Sequence, residues 1–153
     1  MAVSTMSDIE FKKYIQRFRE EITKIKLPQD INSITGQYIL SELDNIYTLI
    51  RYDLSDIETS YERTESIIRQ HERTKTEGRN EEERKKNASL YLETFPVGED
   101  DTVNMYDWNR LLYTRYKMIK ALVDIIENKQ QRLITMNGFL KIDKHLGSQF
   151  QGE

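Results

Sequence analysis

The side chains that could do chemistry here are mostly cations. Arg69, Arg73, Lys75, Arg79, Arg84, Lys85 and Lys86 lie within eighteen residues of one another, and Arg110, Arg115 and Lys117 follow. Tyr91, Tyr106, Trp108, Tyr113 and Tyr116 fall among them. Lys and Arg neutralise phosphates, and aromatic faces receive unstacked bases, which is how sequence-independent single-strand binders work. The same stretch also reads as a solvated helix face. Glu72, Glu77, Glu81, Glu82, Glu83 and Glu93 are threaded through it at helical spacings, and such pairs stabilise a helix by only a few tenths of a kcal/mol each.

Other chemistry finds little support. With no Cys, disulfides, thiolate zinc sites, iron–sulfur clusters and Cys nucleophiles are excluded together. His71 and His145 are too far apart in sequence for HExxH zinc spacing, and neither sits in a local set of ligands. No GxGxxG, GxxxxGK[ST] or GxSxG run occurs, and the six glycines are too scattered to cradle phosphates. Asp53/Asp56 and Glu58/Glu62 read as exposed helix charges. The chain is expected to be no enzyme, to hold no metal and to need no cofactor.

Cations matter only if something positions them. The 153 residues carry 23 Lys+Arg against 26 Asp+Glu, a net charge of −3 that hides an asymmetry. Residues 1–62 hold 7 basic and 11 acidic side chains, whereas residues 102–147 hold 8 basic and 4 acidic. Hydrophobic residues are 37% of the chain and charged residues 32%, so the core is thin for a pocket-forming enzyme. Two Pro and six Gly argue against a turn-rich β protein. The length suits one domain.

Periodicity then supplies the elements. Ser7-Asp8-Ile9-Glu10 fits a capping box, and Phe11, Ile15, Phe18, Ile22 and Ile25 follow at spacings of 4, 3, 4 and 3. Pro28 ends this first helix, expected over 7–26, by pushing Leu27 out of the helical region. Leu43, Ile46, Ile50, Leu54, Ile57, Tyr61, Thr64, Ile68 and His71 form one seam. A second capping box at Ser55-Asp56-Ile57-Glu58 does not break it, so a single helix over 32–76, roughly 65 Å long, is preferred. Gly78 punctuates that helix. Asn80-Glu81-Glu82-Glu83 restarts a short one over 80–94, with Ala88, Tyr91 and Leu92 as its apolar face.

Phe95-Pro96-Val97-Gly98 ends the short helix, and Glu99-Asp100-Asp101 reads as a solvated loop. The last helix, expected over 104–137, carries Met105, Trp108, Leu112, Ile119, Leu122, Ile126, Leu133 and Met136. Arg115 or Tyr116, and Gln130, fill gaps in its seam. Asn137-Gly138 reads as a C-cap or a kink, with a tail over 138–153.

The expected fold is therefore all-α. Two long helices form an antiparallel hairpin, with an N-terminal helix across its open end and a short helical excursion at its tip. That turn brings Arg110, Arg115 and Lys117 back toward the basic tip. Narrow seams on long helices also leave apolar surface for a second copy, so a homo-oligomer is expected. The opening residues have neither the basic nor the apolar region of a signal peptide, and no apolar run approaches the roughly 20 residues of a membrane helix. A cytoplasmic location follows as the default, in the host cell if the protein is viral.

This arrangement resembles the UvsY-like recombination mediators of phages, over roughly residues 27–142. The resemblance rests on Leu27-Pro28 leading into Tyr38-Ile39-Leu40, on the polar excursion Thr76 to Lys86, and on the closing helix from Tyr116 to Ile142. It implies a non-enzymatic ring that binds single-stranded DNA, loads a RecA-like recombinase and displaces single-strand-binding protein. It also implies that Arg73, Lys75 and Arg79 contact DNA. The chain departs from the family's pattern in one respect, since Arg69 to Lys75 has no aromatic beside its cations. Two other readings stay open from the residues. One is a structural or adaptor protein, such as a virion component or the small subunit of a larger complex, that binds a protein partner and no nucleic acid. The other is an inhibitor whose acidic half occupies another protein's nucleic-acid groove.

Overall fold

The computed structural model describes residues 2–30, 32–74 and 77–150, with side chains as far as Met136 and at Gly138. Among these residues, in chain order, are α1 (Asp8–Lys24), α2 (Ser33–Thr74), α3 (Glu81–Glu93), β1 (Phe95–Pro96), β2 (Thr102–Val103) and α4 (Met105–Phe150). The fold is all-α. The long α2 and α4 pack against each other as an antiparallel hairpin, with α3 in the connection between them.

Each helix begins at a side chain able to accept from its free N–H groups. Ser7 and Glu10 form the full capping box of α1, with Glu10 N donating to Ser7 Oγ at 3.2 Å and Ser7 N donating to Glu10 Oε2 at 2.8 Å. Three asparagines start the others. Asn32 Oδ1 accepts from Thr35 N at 2.8 Å, Asn80 Oδ1 from Glu83 N at 2.8 Å, and Asn104 Oδ1 from Tyr106 N at 3.1 Å.

Two features differ from the sequence expectation. α4 does not end at Asn137-Gly138 but continues to Phe150. A helical Gly costs about 1 kcal/mol relative to Ala, which weakens a helix without stopping it, and no Pro follows. A two-residue antiparallel ladder, Phe95 opposite Val103 and Pro96 opposite Thr102, also closes the loop between α3 and α4. Val97 N donates to Asp101 O at 3.0 Å inside that turn.

The chain divides into two compact units. One comprises Met1–Thr5 and Leu54–Met118, the other Met6–Asp53 and Ile119–Glu153. The second holds the larger share of the apolar core. Phe11, Ile15, Phe18 and Ile22 of α1 are buried there, as are Ile39, Leu43 and Ile50 of α2 and Ile119, Leu122, Val123, Ile126 and Leu133 of α4. Lys129 Nζ donates at 2.8 Å to both Ile22 O, which also accepts from Ile25 N at 3.2 Å, and Ile25 O, at the C-terminal end of α1 where positive charge is favoured. Burial holds the Lys129 ammonium below the usual lysine pKa. Tyr14 Oη donates to Asp53 Oδ2 at 2.6 Å, and burial followed by this bond raises the tyrosine pKa.

The first unit is more polar. Leu54, Ile57, Ala88, Leu92, Met105 and Leu112 are buried in it, together with Thr64 and Arg115. Asn109 Nδ2 donates to Thr64 Oγ1 at 2.8 Å, and Thr64 Oγ1 donates to Tyr61 O at 2.7 Å, so this buried hydroxyl is satisfied on both sides.

Candidate nucleic-acid interface

The tip of the hairpin lies wholly within the unit Leu54–Met118. α2 ends with His71 and Arg73 in its last turn, where the helix dipole favours positive charge. Gly78 has φ +141°, and a Cβ there would stand 2.8 Å from the backbone nitrogen of Arg84. Only glycine fits, and it lets the connecting strand fold against the start of α3. Polar bonds then fix that contact. Arg84 Nε donates to Gly78 O at 3.2 Å, Asn87 Nδ2 to Glu77 O at 2.9 Å, and Arg79 N to Glu83 Oε2 at 2.8 Å.

Contacts between α2 and α4 set the register of the expected cations. Tyr106 Oη donates to Glu72 Oε1 at 3.1 Å, Asn109 pairs with Thr64, and Tyr113 and Tyr116 both pack on Tyr61. Arg110 is therefore level with the part of α2 that follows Thr64. Lys117 lies level with residues around 58, about four turns below the end of α2. Its ammonium sits 5.0 Å from the Tyr113 ring centroid, a cation–π contact.

The structure describes nine of the ten expected cations, in four groups. Arg69, Lys85 and Arg110 are exposed but form local ion pairs, to Glu65 at 3.4 Å, Glu81 at 3.0 Å and Asp107 at 3.5 Å. Such exposed pairs are weak and yield readily to a phosphate. Lys85 nevertheless holds the Glu81 carboxyl below its usual value. Arg84 is exposed but tied to Gly78 O, and Lys117 lies over its tyrosine. Arg73, Arg79 and Lys86 are exposed and, among the described residues, form no ion pair within 4.0 Å. Lys75 lies outside the described residues.

Arg115 is a correction to the sequence reading. It is 2% exposed, and its Nη1 donates to Val3 O at 2.9 Å and Ser4 O at 3.5 Å, so it pins the N-terminal residues and reaches no external phosphate. It sits on the α4 seam between Leu112 and Ile119, three residues from one and four from the other, and that spacing was the signal of its burial.

The aromatics are also redistributed. His71 packs on Tyr91 at 5.0 Å and on Phe95 at 5.6 Å, and the two latter rings meet edge to face at 5.7 Å. This half-buried cluster joins α2 to α3. Trp108 is half-buried. Tyr113 is 38% exposed, backed by Tyr61 at 5.1 Å and edged by Lys117. Tyr61 was expected only as a seam residue. Burial, reinforced by Glu65, raises its pKa, and burial does the same for Tyr106.

A shallow groove of about 660 Å³ runs along the outer face of α2, lined by Glu62, Glu65, Arg69, Gln70 and Arg73. Its mixed charge makes it a poor phosphate channel by itself. Among the described residues no group of three or more His, Cys, Asp or Glu converges to hold a metal, and no helix is long and apolar enough to cross a membrane. Comparison with protein-family models, with curated proteins and with solved structures gives no match.

Proposed function

We propose that this protein is a non-enzymatic accessory factor that binds single-stranded DNA at the hairpin tip in phage-type recombination or replication. In this reading it acts as an oligomer, delivering the strand to a recombinase and displacing a single-strand-binding protein. The observation that carries the reading is the trio Arg73, Arg79 and Lys86, whose side chains are exposed and, among the described residues, form no ion pair. Arg69 and Arg110, in weak surface pairs, extend the same positive field, and Lys117 over the partly exposed Tyr113 ring adds a further cation. Each contact is weak, so assembly multiplies them through effective concentration.

Titration of a labelled oligonucleotide followed by anisotropy tests this. Binding should be measurable at about 50 mM salt and fall steeply as salt is added. Reversal of Arg73, Arg79 and Lys86 to Glu should reduce affinity at least tenfold and flatten the salt slope by about 2, the share of three phosphates on a single strand. Absence of binding at low salt by the folded wild-type protein would sink the proposal.

One observation favours a second reading, an adaptor that binds protein and no nucleic acid. Ile34, Tyr38, Leu49 and Tyr52 of α2 are 80%, 68%, 59% and 81% exposed, more apolar surface than a helix in water normally displays along one line.

A further inference from the structure

Those four side chains share a face. At 3.6 residues per turn, positions 34, 38, 41, 45, 49 and 52 stay within about a quarter of the helix circumference. Ile39, Leu43 and Ile50, which are buried, lie on the opposite side. The stripe thus faces away from the core of its own unit; Ser41 and Asn45 interrupt it, leaving Ile34 with Tyr38 and Leu49 with Tyr52 as two exposed apolar pairs.

The same unit holds a cleft of about 810 Å³ whose lining includes Leu27, Pro28, Ile125, Lys129, Arg132 and Met136. Its lining contains two cations and no carboxylate. One of these cations, Lys129, is committed to Ile22 O and Ile25 O. Arg132 is exposed and, among the described residues, forms no ion pair.

Charge on the stripe is the converse. Between Ser33 and Asp53, α2 carries Glu42, Asp44 and Asp53 against the single cation Arg51. Asp44 accepts from Gln130 and Asp53 from Tyr14, both within the unit. Glu42 is exposed, one turn beyond Tyr38 on the same side of the helix. Each surface therefore offers an apolar bed and one uncommitted charge, of opposite sign.

We infer that the α2 stripe of one copy docks in the Leu27–Pro28/α4 cleft of a second copy, with Ile34 and Tyr38 in the cleft and Glu42 against the second copy's Arg132. Direct pairing of two antiparallel α2 stripes is disfavoured, because centring the apolar residues on each other sets Glu42 beside Glu42. A stripe-to-cleft contact uses two different surfaces, so it either closes reciprocally in a dimer or repeats in a ring or filament. It gives a surface to the self-association assumed in the proposed function and needs no nucleic acid.

Sedimentation equilibrium of the full chain without DNA tests it. The wild type should self-associate at micromolar concentration. Arg132→Glu and Glu42→Arg should each weaken association about tenfold or more, since each sets like charges against each other. An equimolar mixture of the two variant chains should associate as tightly as the wild type, because every contact between unlike chains regains opposite charges. Tyr38→Ser should weaken association in either background. All these positions are exposed, so helicity by circular dichroism should stay at the wild-type level. A wild type that stays monomeric, variants that associate normally, or a mixture no tighter than its components would each overturn the inference. Oligonucleotide binding is measured separately, and a protein that self-associates through these surfaces without binding DNA would leave this inference standing while sinking the proposed function.

Discussion

α1 and α3 start with the same chemistry and are held by different forces. Each begins at a polar cap with a Glu three residues on whose carboxylate accepts from a backbone N–H. After that they diverge. α1 buries Phe11, Ile15, Phe18 and Ile22, and its last carbonyls are met by Lys129. α3 buries only Ala88 and Leu92, leaves Leu90 52% exposed, and depends on polar bonds across Gly78 for its position. Caps set where a helix begins, whereas burial sets how much free energy is needed to undock it. α3, which carries Arg84, Lys85 and Lys86, is thus the element expected to open locally at low cost.

The most severe way to break this contrast is to remove an anchor of α1. Phe18 is 5% exposed, and Phe18→Ala should cost about 3–5 kcal/mol in urea unfolding, the usual range for a buried Phe. A loss below about 1 kcal/mol would mean that α1 is not anchored by its apolar seam.

Gly78→Ala comes next. At φ +141°, with a Cβ 2.8 Å from a backbone nitrogen, the alanine must displace the connection or strain it, at about 1–3 kcal/mol. Hydrogen exchange should show the loss concentrated in α3, with α1 amides unchanged. Equal loss of protection in both helices would contradict the independence claimed for the tip.

These elements differ in how plainly the chain announces them. The helix starts at Ser7 and Asn80 were readable because a cap acts through neighbours three residues away. The seams of α1 and α2 were readable because burial follows helical period, and α2 runs through Ser55–Glu58 as its unbroken seam implies. The end of α4 was not, since Asn-Gly terminates a helix only when the following residues leave the helix, and here an apolar pattern resumes. The β1–β2 ladder, two residues on each side, is too short for any alternation to show.

At the candidate site the basic run was legible as a run, but its internal division was not. Whether Arg84 faces solvent or Gly78 O depends on the turn that Gly78 allows, and the ion pair of Arg69 depends on which rotamer meets Glu65. Arg115 marks the limit most clearly. Its place on the seam competed with its charge, and burial won where Nη1 finds two carbonyls near the N-terminus to donate to.

The finest test of the α1–α3 contrast is the titration of Glu10. The backbone N–H of Ser7 donates to its carboxylate and, with the Ser7 side chain, holds its pKa below the usual 4.5. A folded-state pKa below the unfolded one means that the unfolded chain binds more protons between the two values, so stability rises with pH there. The contribution is present in full above the unfolded value and is lost as pH falls through the folded one. Because the carboxylate is exposed, the effect should be small, and its sign is the informative part. Carbon-detected NMR should place the Glu10 titration below 4.5. Glu10→Gln should remove this component of the acid-side slope and lower stability slightly at neutral pH, where the contribution is present in full, with the two proteins converging in acid. A Glu10 pKa at or above 4.5 would show that the α1 box is not closed in solution, leaving burial alone to distinguish α1 from α3.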